Sequence, residues 1–137
     1  MILLDSNIFI YAALPEQAML RERLLEQSVS ASAISRIEVF GYHRLTRKHE
    51  QHLEKMFNAV DVIPITDAVV AMAIRLRQQR RMSLGDAIVA ATALEYGMAI
   101  WTHNVKDFAW VEGLIVYDPF NNISADGESP DQSTETE

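Results

Sequence analysis

The apolar positions of this 137-residue chain fall into short unbroken runs and longer stretches with helical spacing. Residues 1–9 begin as a continuous apolar run, the pattern of a strand buried on both faces. Residues 15–27 predict a helix with Leu20 and Leu24 on one face, and 29–34 a short strand or extended link. Ser35 opens a second helix that continues in pieces through Lys48 and again through Asn58. Residues 60–65 are apolar, rich in β-formers and short, hence a strand. Thr66 is placed to cap a helix in which Val69, Met72, Ala73 and Leu76 follow the i, i+3, i+4, i+7 spacing. Ser83 opens another helix, whose residues 87–94 are apolar nearly all round except Thr92, so it belongs inside the protein. Gly97 ends it, and residues 98–102 and 114–117 supply two last strands.

Strands alternating with helices imply right-handed crossovers and a mainly parallel sheet covered on both faces, an α/β fold of three layers, α/β/α. No repeat or linker divides it. In such sheets sites form beyond the carboxyl ends of the strands.

Composition narrows the chemistry. Cysteine is absent, which excludes disulfides, thiolate metal sites and a Cys nucleophile and fits a reducing cytoplasm. The first residues lack the features of a signal peptide, and no apolar stretch is long enough for a bilayer, so a soluble protein is expected. The net charge of −7 owes much to residues 124–137, which carry Asp126, Glu128, Asp131, Glu135 and Glu137 and no base. Without those five, fourteen acids face twelve bases, about −2, so a nucleic-acid substrate stays open to a local basic patch. The expectation is a domain over residues 1–123 and a disordered, acidic, solubilising tail over 124–137.

Four acids stand out. Asp5 closes Ile2-Leu3-Leu4, with apolar character resuming at Ile8, so its carboxylate must be compensated by a cation, by donors or by protonation. Asn7 can cap the turn that follows, for which Asp5 lies too early. Ser35-Arg36-Ile37-Glu38 fits a capping box, in which Glu38 folds back on the cap. Ser83-Leu84-Gly85-Asp86 fits one too, but Asp reaches back less well, and Gly85 costs helix stability unless something must approach closely. At a helix N-terminus the dipole helps hold Asp86 ionised. Asp107 taken alone is a turn residue. Together, each acid follows a predicted strand or opens the helix beyond one, so all four converge on one sheet edge. Clustered carboxylates need a cation or raised pKa values, and oxygen-only ligands suit Mg²⁺ or Mn²⁺.

These residues resemble a known family. Leu4-Asp5-Ser6-Asn7 is similar to the opening D-[TS]-N motif of PIN domains, and Ser35-Arg36-Ile37-Glu38 to the second, with its Glu on a helix. Residues 84–93 resemble the third, D-A-x-I-A-A-T-A, and Thr102-His103-Asn104-Val105-Lys106-Asp107-Phe108 the closing T-x-N-x-x-D-F. The motifs come in family order and cover residues 1–121. Length and domain count point to the VapC-like toxins of toxin–antitoxin pairs.

The resemblance implies a Mg²⁺- or Mn²⁺-dependent endoribonuclease, usually dimeric and held inactive by a cognate antitoxin. Asp5 and Asp86 would hold the metal, with Glu38 and Asp107 binding directly or through water, and Asn7, Ser35, Thr102 and Asn104 in support. Asn104 stands where some members place an acid, so either it or Asp107 completes the site. Water attack and a 5′-phosphate product are implied, with no covalent nucleophile. Arg44, Arg47, Lys48, Arg75, Arg77, Arg80 and Arg81 are either phosphate contacts or solvated helix faces. His49-Glu50-Gln51-His52 is one residue short of H-E-x-x-H and reads as a helix face. A receiver-like signalling domain lacks its acidic pair and Lys here. The alternative that remains is a catalytically inactive PIN-like interaction module.

Overall fold

Five parallel strands organise the chain in a computed structural model that describes residues 1–122. They are β1 (Ile2–Leu4), β2 (Val29–Ser32), β3 (Asp61–Ile63), β4 (Ala99–Trp101) and β5 (Val116–Tyr117), in the spatial order β3-β2-β1-β4-β5. β1 lies at the centre, with Leu4 level with Ala31 on one side and Trp101 on the other. Helices α1 (Ser6–Ala12), α2 (Ala18–Leu25), α3 (Ala33–Phe40), α4 (Arg47–Asn58), α5 (Asp67–Gln79) and α6 (Leu84–Tyr96) make the crossovers.

The alternation of side chains along β1 splits the core in two. Leu3 packs with Val69, Leu76, Val89 and Phe108 under α5 and α6, whereas Ile2 and Leu4 pack with Phe9, Leu20, Leu53 and Phe57 under α1, α2 and α4. This is the expected three-layer α/β/α arrangement with a parallel sheet. The α6 helix is buried from Ala87 through Ala93, as its all-round apolar sequence predicts. Its one polar member, Thr92, is satisfied internally by donating to the Ile88 carbonyl at 2.7 Å. Thr66 caps α5 and Ser83 caps α6, each through its hydroxyl, and Gly97 ends α6 in the left-handed region at φ 67°.

Three local expectations are corrected. The opening run is not one strand: β1 ends at Leu4, and Asp5 is the N-cap of α1, its carboxylate accepting from the Ser6 amide at 2.8 Å. The helix wins because Ile8, Phe9 and Ala12 then all reach the core. Asp5 does not lie too early to cap. Nor does Ser35 open the second helix: α3 starts at Ala33, capped by the Ser32 hydroxyl on the Ile34 amide at 3.2 Å. Ser32 is the last residue of β2, paired with Ile63, so the sheet's edge sets the start of the helix. Ser35 is buried inside α3, and its hydroxyl has no hydrogen-bond partner among the described residues. The expected acidic tail lies outside the described residues.

Candidate active site

All four acids sit at or beyond the carboxyl ends of the central strands. Asp5 directly follows β1 and is only 6% exposed. One carboxylate oxygen takes the Ser6 amide; the other accepts from the Thr102 hydroxyl at 2.8 Å and from the Asn7 amide at 3.5 Å. Thr102 follows β4, is fully buried, and also accepts from the Asn104 amide at 3.0 Å. Asn7 closes the network by accepting from the His103 amide at 3.3 Å. Asp5, Asn7 and Thr102 thus lock the carboxyl ends of β1 and β4 together.

Glu38 stands on α3 and does not fold back on a cap. Its carboxylate accepts from the Ser6 hydroxyl at 2.5 Å and lies against Gly85, where a Cβ would overlap its outer oxygen and stand 3.0 Å from its Cδ. The close approach that Gly85 permits is therefore made by Glu38, one residue before Asp86. Asp86 keeps half of the capping box, its amide donating to the Ser83 hydroxyl at 3.1 Å. Asp107 is exposed on a short 3₁₀ turn, Val105–Asp107, and Asn104 just precedes it.

Electrostatics couple the four. Burial raises the Asp5 pKa, against the lowering bonds from Thr102 and Ser6, and Glu38 and Asp107 add like-charge repulsion. Asp86 is pushed up to about 6, first by burial, then by the charge of Asp5, with smaller contributions from Asp107 and Glu38. Among the described residues no Lys, Arg or His side-chain nitrogen comes within 4.0 Å of a carboxylate oxygen of any of the four; the one such ion pair is His103–Asp118.

As placed, no three acidic or His side chains among the described residues form a ready ligand cage. The donor set nevertheless fits a hard divalent ion. It is all oxygen, carries uncompensated negative charge, and Mg²⁺ characteristically binds through one or two carboxylates while keeping its waters.

Sequence reasoning missed Ser6, which holds Glu38, and the buried Asp118, which follows β5 and pairs with His103 Nδ1 at 3.1 Å. A position after a strand was the available signal for Asp118; Ser6 offered none beyond the motif itself.

A model of the PIN domain family matches residues 2–113. The chain belongs to the PIN domain family. No curated relative matches its sequence significantly. Solved structures with the PIN fold of this chain include VapBC2 from Rickettsia felis bound to a DNA fragment from its promoter, at 20% identity and TM-score 0.76, covering 86% of this chain and 98% of that one. A toxin–antitoxin complex from Klebsiella pneumoniae matches at 26% identity and TM-score 0.67, covering 86% and 99%. VapBC-1 from nontypeable Haemophilus influenzae matches at 24% and 0.70, covering 86% and 98%. The VapC-like resemblance read from the four motifs agrees with this PIN domain assignment.

Proposed function

We propose that this PIN domain is a metal-dependent endoribonuclease and the toxin of a toxin–antitoxin pair. The supporting observation is the set of mutually repelling carboxylates, Asp5, Glu38, Asp86 and Asp107, at the sheet's carboxyl edge, none of which forms an ion pair among the described residues. Such a set is costly without a counter-ion, and the family gives that ion a use. Asp5 and Asp86 would hold Mg²⁺ or Mn²⁺, with Glu38 and Asp107 binding directly or through water. When bound, the ion supplies an acidified water and charge neutralisation at the scissile phosphate.

The chain's own residues do the positioning. Thr102 and the Ser6 amide fix both oxygens of Asp5, so its carboxylate cannot rotate freely. The Ser6 hydroxyl donates to Glu38 and so orients its carboxylate. Asn104 extends the Thr102 network toward Asp107. The solved complexes that share this fold are toxin–antitoxin assemblies, which supports a cognate antitoxin as partner. We also expect a homodimer acting in the cytoplasm; no described helix is long and apolar enough to cross a membrane.

The test is cleavage of RNA by protein purified through denaturant and refolded, so that no antitoxin copurifies. Mn²⁺-dependent cleavage, lost in Asp86→Asn together with Mn²⁺ binding by calorimetry, is expected. No cleavage with either metal would leave the chain an interaction module. A monomer by light scattering would remove the dimer.

A further inference from the structure

Beside the acids lies a cavity of about 640 Å³ between the α5–α6 turn and the Val105–Asp107 turn. Asp86 and Asp107 belong to its wall, so it opens directly onto the candidate active site. Four cations share that wall, Arg77, Arg80, Arg81 and Lys106, with the half-buried ring of Trp110. None of these four makes an ion pair with a carboxylate among the described residues, although two carboxylates share their cavity. Arg77 is held by its Nε on the Met82 carbonyl at 3.1 Å. The Arg80 guanidinium lies 5.4 Å from the centre of the Trp110 ring, and the Trp110 indole donates to the Asp107 carbonyl at 3.2 Å. A planar cation and an aromatic ring are therefore fixed next to an acid of the site.

From this arrangement we infer that RNA reaches the acids as a single strand through this cavity, an inference that rests on the nuclease reading above. Arg80, Arg81 and Lys106 hold the backbone, and one base stacks at the Arg80–Trp110 pair. The acids alone repel a polyanion, so a substrate needs unpaired cations beside them to approach. Stacking requires a base with a free face, which a single strand offers and a duplex does not. The metal-site acids and the cavity then divide the work: the cavity sets which phosphate is presented, and the acids act on it.

The test is fluorescence anisotropy of a labelled oligouridine, and of the same length of RNA duplex, with the full 137-residue chain in EDTA across a salt series. The parent should bind the single strand more tightly than the duplex. The exposed triple variant Arg80→Ala/Arg81→Ala/Lys106→Ala should bind more weakly, and the slope of log Kd against log salt should shrink by about 0.7 for each phosphate no longer neutralised. Trp110→Leu, which keeps bulk under the core, should weaken binding about tenfold with the salt slope unchanged, and Trp110→Phe should restore most of it. Unchanged affinity and slope in the triple variant would overturn the inference. So would equal binding of duplex, tighter binding of polyglutamate than of RNA, or a Trp110→Leu defect that Phe does not restore. A parent that binds as expected but cuts nothing with Mn²⁺ removes the nuclease reading alone. Cleavage with an unchanged KM in the triple variant removes this inference alone.

Discussion

Gly85→Ala should be a substitution whose sign depends on a residue nearly fifty positions away. Gly85 is the second residue of α6, where replacing Gly by Ala ordinarily gains about 0.5–1 kcal/mol of helix stability. Here the new Cβ would overlap the Glu38 carboxylate and must push it away. Glu38 then gives up the bond from the Ser6 hydroxyl at 2.5 Å, and the buried Ser6 loses its acceptor. Bonds to charged groups contribute about 1.5–3 kcal/mol, and the exposure of Glu38 favours the low end. The net expectation is a loss of roughly 0.5–1 kcal/mol in the parent, about 3 °C in Tm. In a Glu38→Ala background nothing remains to be displaced, and the same substitution should stabilise by about 0.5–1 kcal/mol. The coupling is then on the order of 1.5 kcal/mol, well above the error of additivity. Urea unfolding of the four proteins in EDTA measures it, and calorimetry should show weakened Mn²⁺ binding in Gly85→Ala. Equal effects in both backgrounds, or full Mn²⁺ affinity and RNA cleavage in Gly85→Ala, would refute the placement of Glu38 against α6.

Other outcomes follow from the same contacts. Glu38→Gln keeps an acceptor for Ser6 but removes one like charge, so the metal-free protein should be at least as heat-stable as the parent, while RNA cleavage falls by orders of magnitude at ~1.4 kcal/mol per tenfold. Thr102→Val, nearly isosteric, strips a donor from Asp5 and an acceptor from the Asn104 amide, and should cost about 2–4 kcal/mol in urea unfolding. Ser32→Ala should cost about 1 kcal/mol as the loss of an N-cap, whereas Ser35→Ala should cost nothing because its hydroxyl has no partner; the reverse order would return the cap to Ser35. Asp86 has its pKa raised from 3.8 to about 6, so across that window the metal-free folded state binds protons that the unfolded chain lacks. Stability from this group is therefore present at low pH and lost as pH rises to about 6, and the Tm difference between parent and Asp86→Asn in EDTA should track that slope.

Several features were legible in the sequence because their causes are local. The α6 helix announces itself by apolar residues on every side, its start by Ser83 and its end by Gly97. Thr66 and the spacing after it mark α5 in the same way. Asp5, Asp86 and Asp107 were legible together, since each stood next to an element boundary and the order of strands and helices brings such boundaries to one edge; Glu38 was added from a helix start at Ser35 that the structure moves to Ala33. The break between β1 and α1 was not legible: an apolar run of that length suits a strand as well as a strand followed by a helix, and only the fit of Phe9 into the core under α1 separates them.

The sequence by itself singled out the four acids as candidates for chemistry, because a carboxylate beside a buried strand or at a helix start has few inexpensive explanations. What each acid touches was decided by the tertiary structure alone. The capping pattern placed the start of α3 at Ser35, and the structure moves it to Ser32 because pairing between β2 and β3 ends there. That shift of three residues frees Glu38 from a capping box and turns it toward Ser6 and Gly85, which lie 32 and 47 positions away. The cavity that gathers Arg77, Arg80, Arg81, Lys106 and Trp110 beside Asp86 and Asp107 has the same origin. Periodicity and capping act over a few residues, whereas the meeting of distant turns depends on the order of strands in the sheet, which no local pattern encodes.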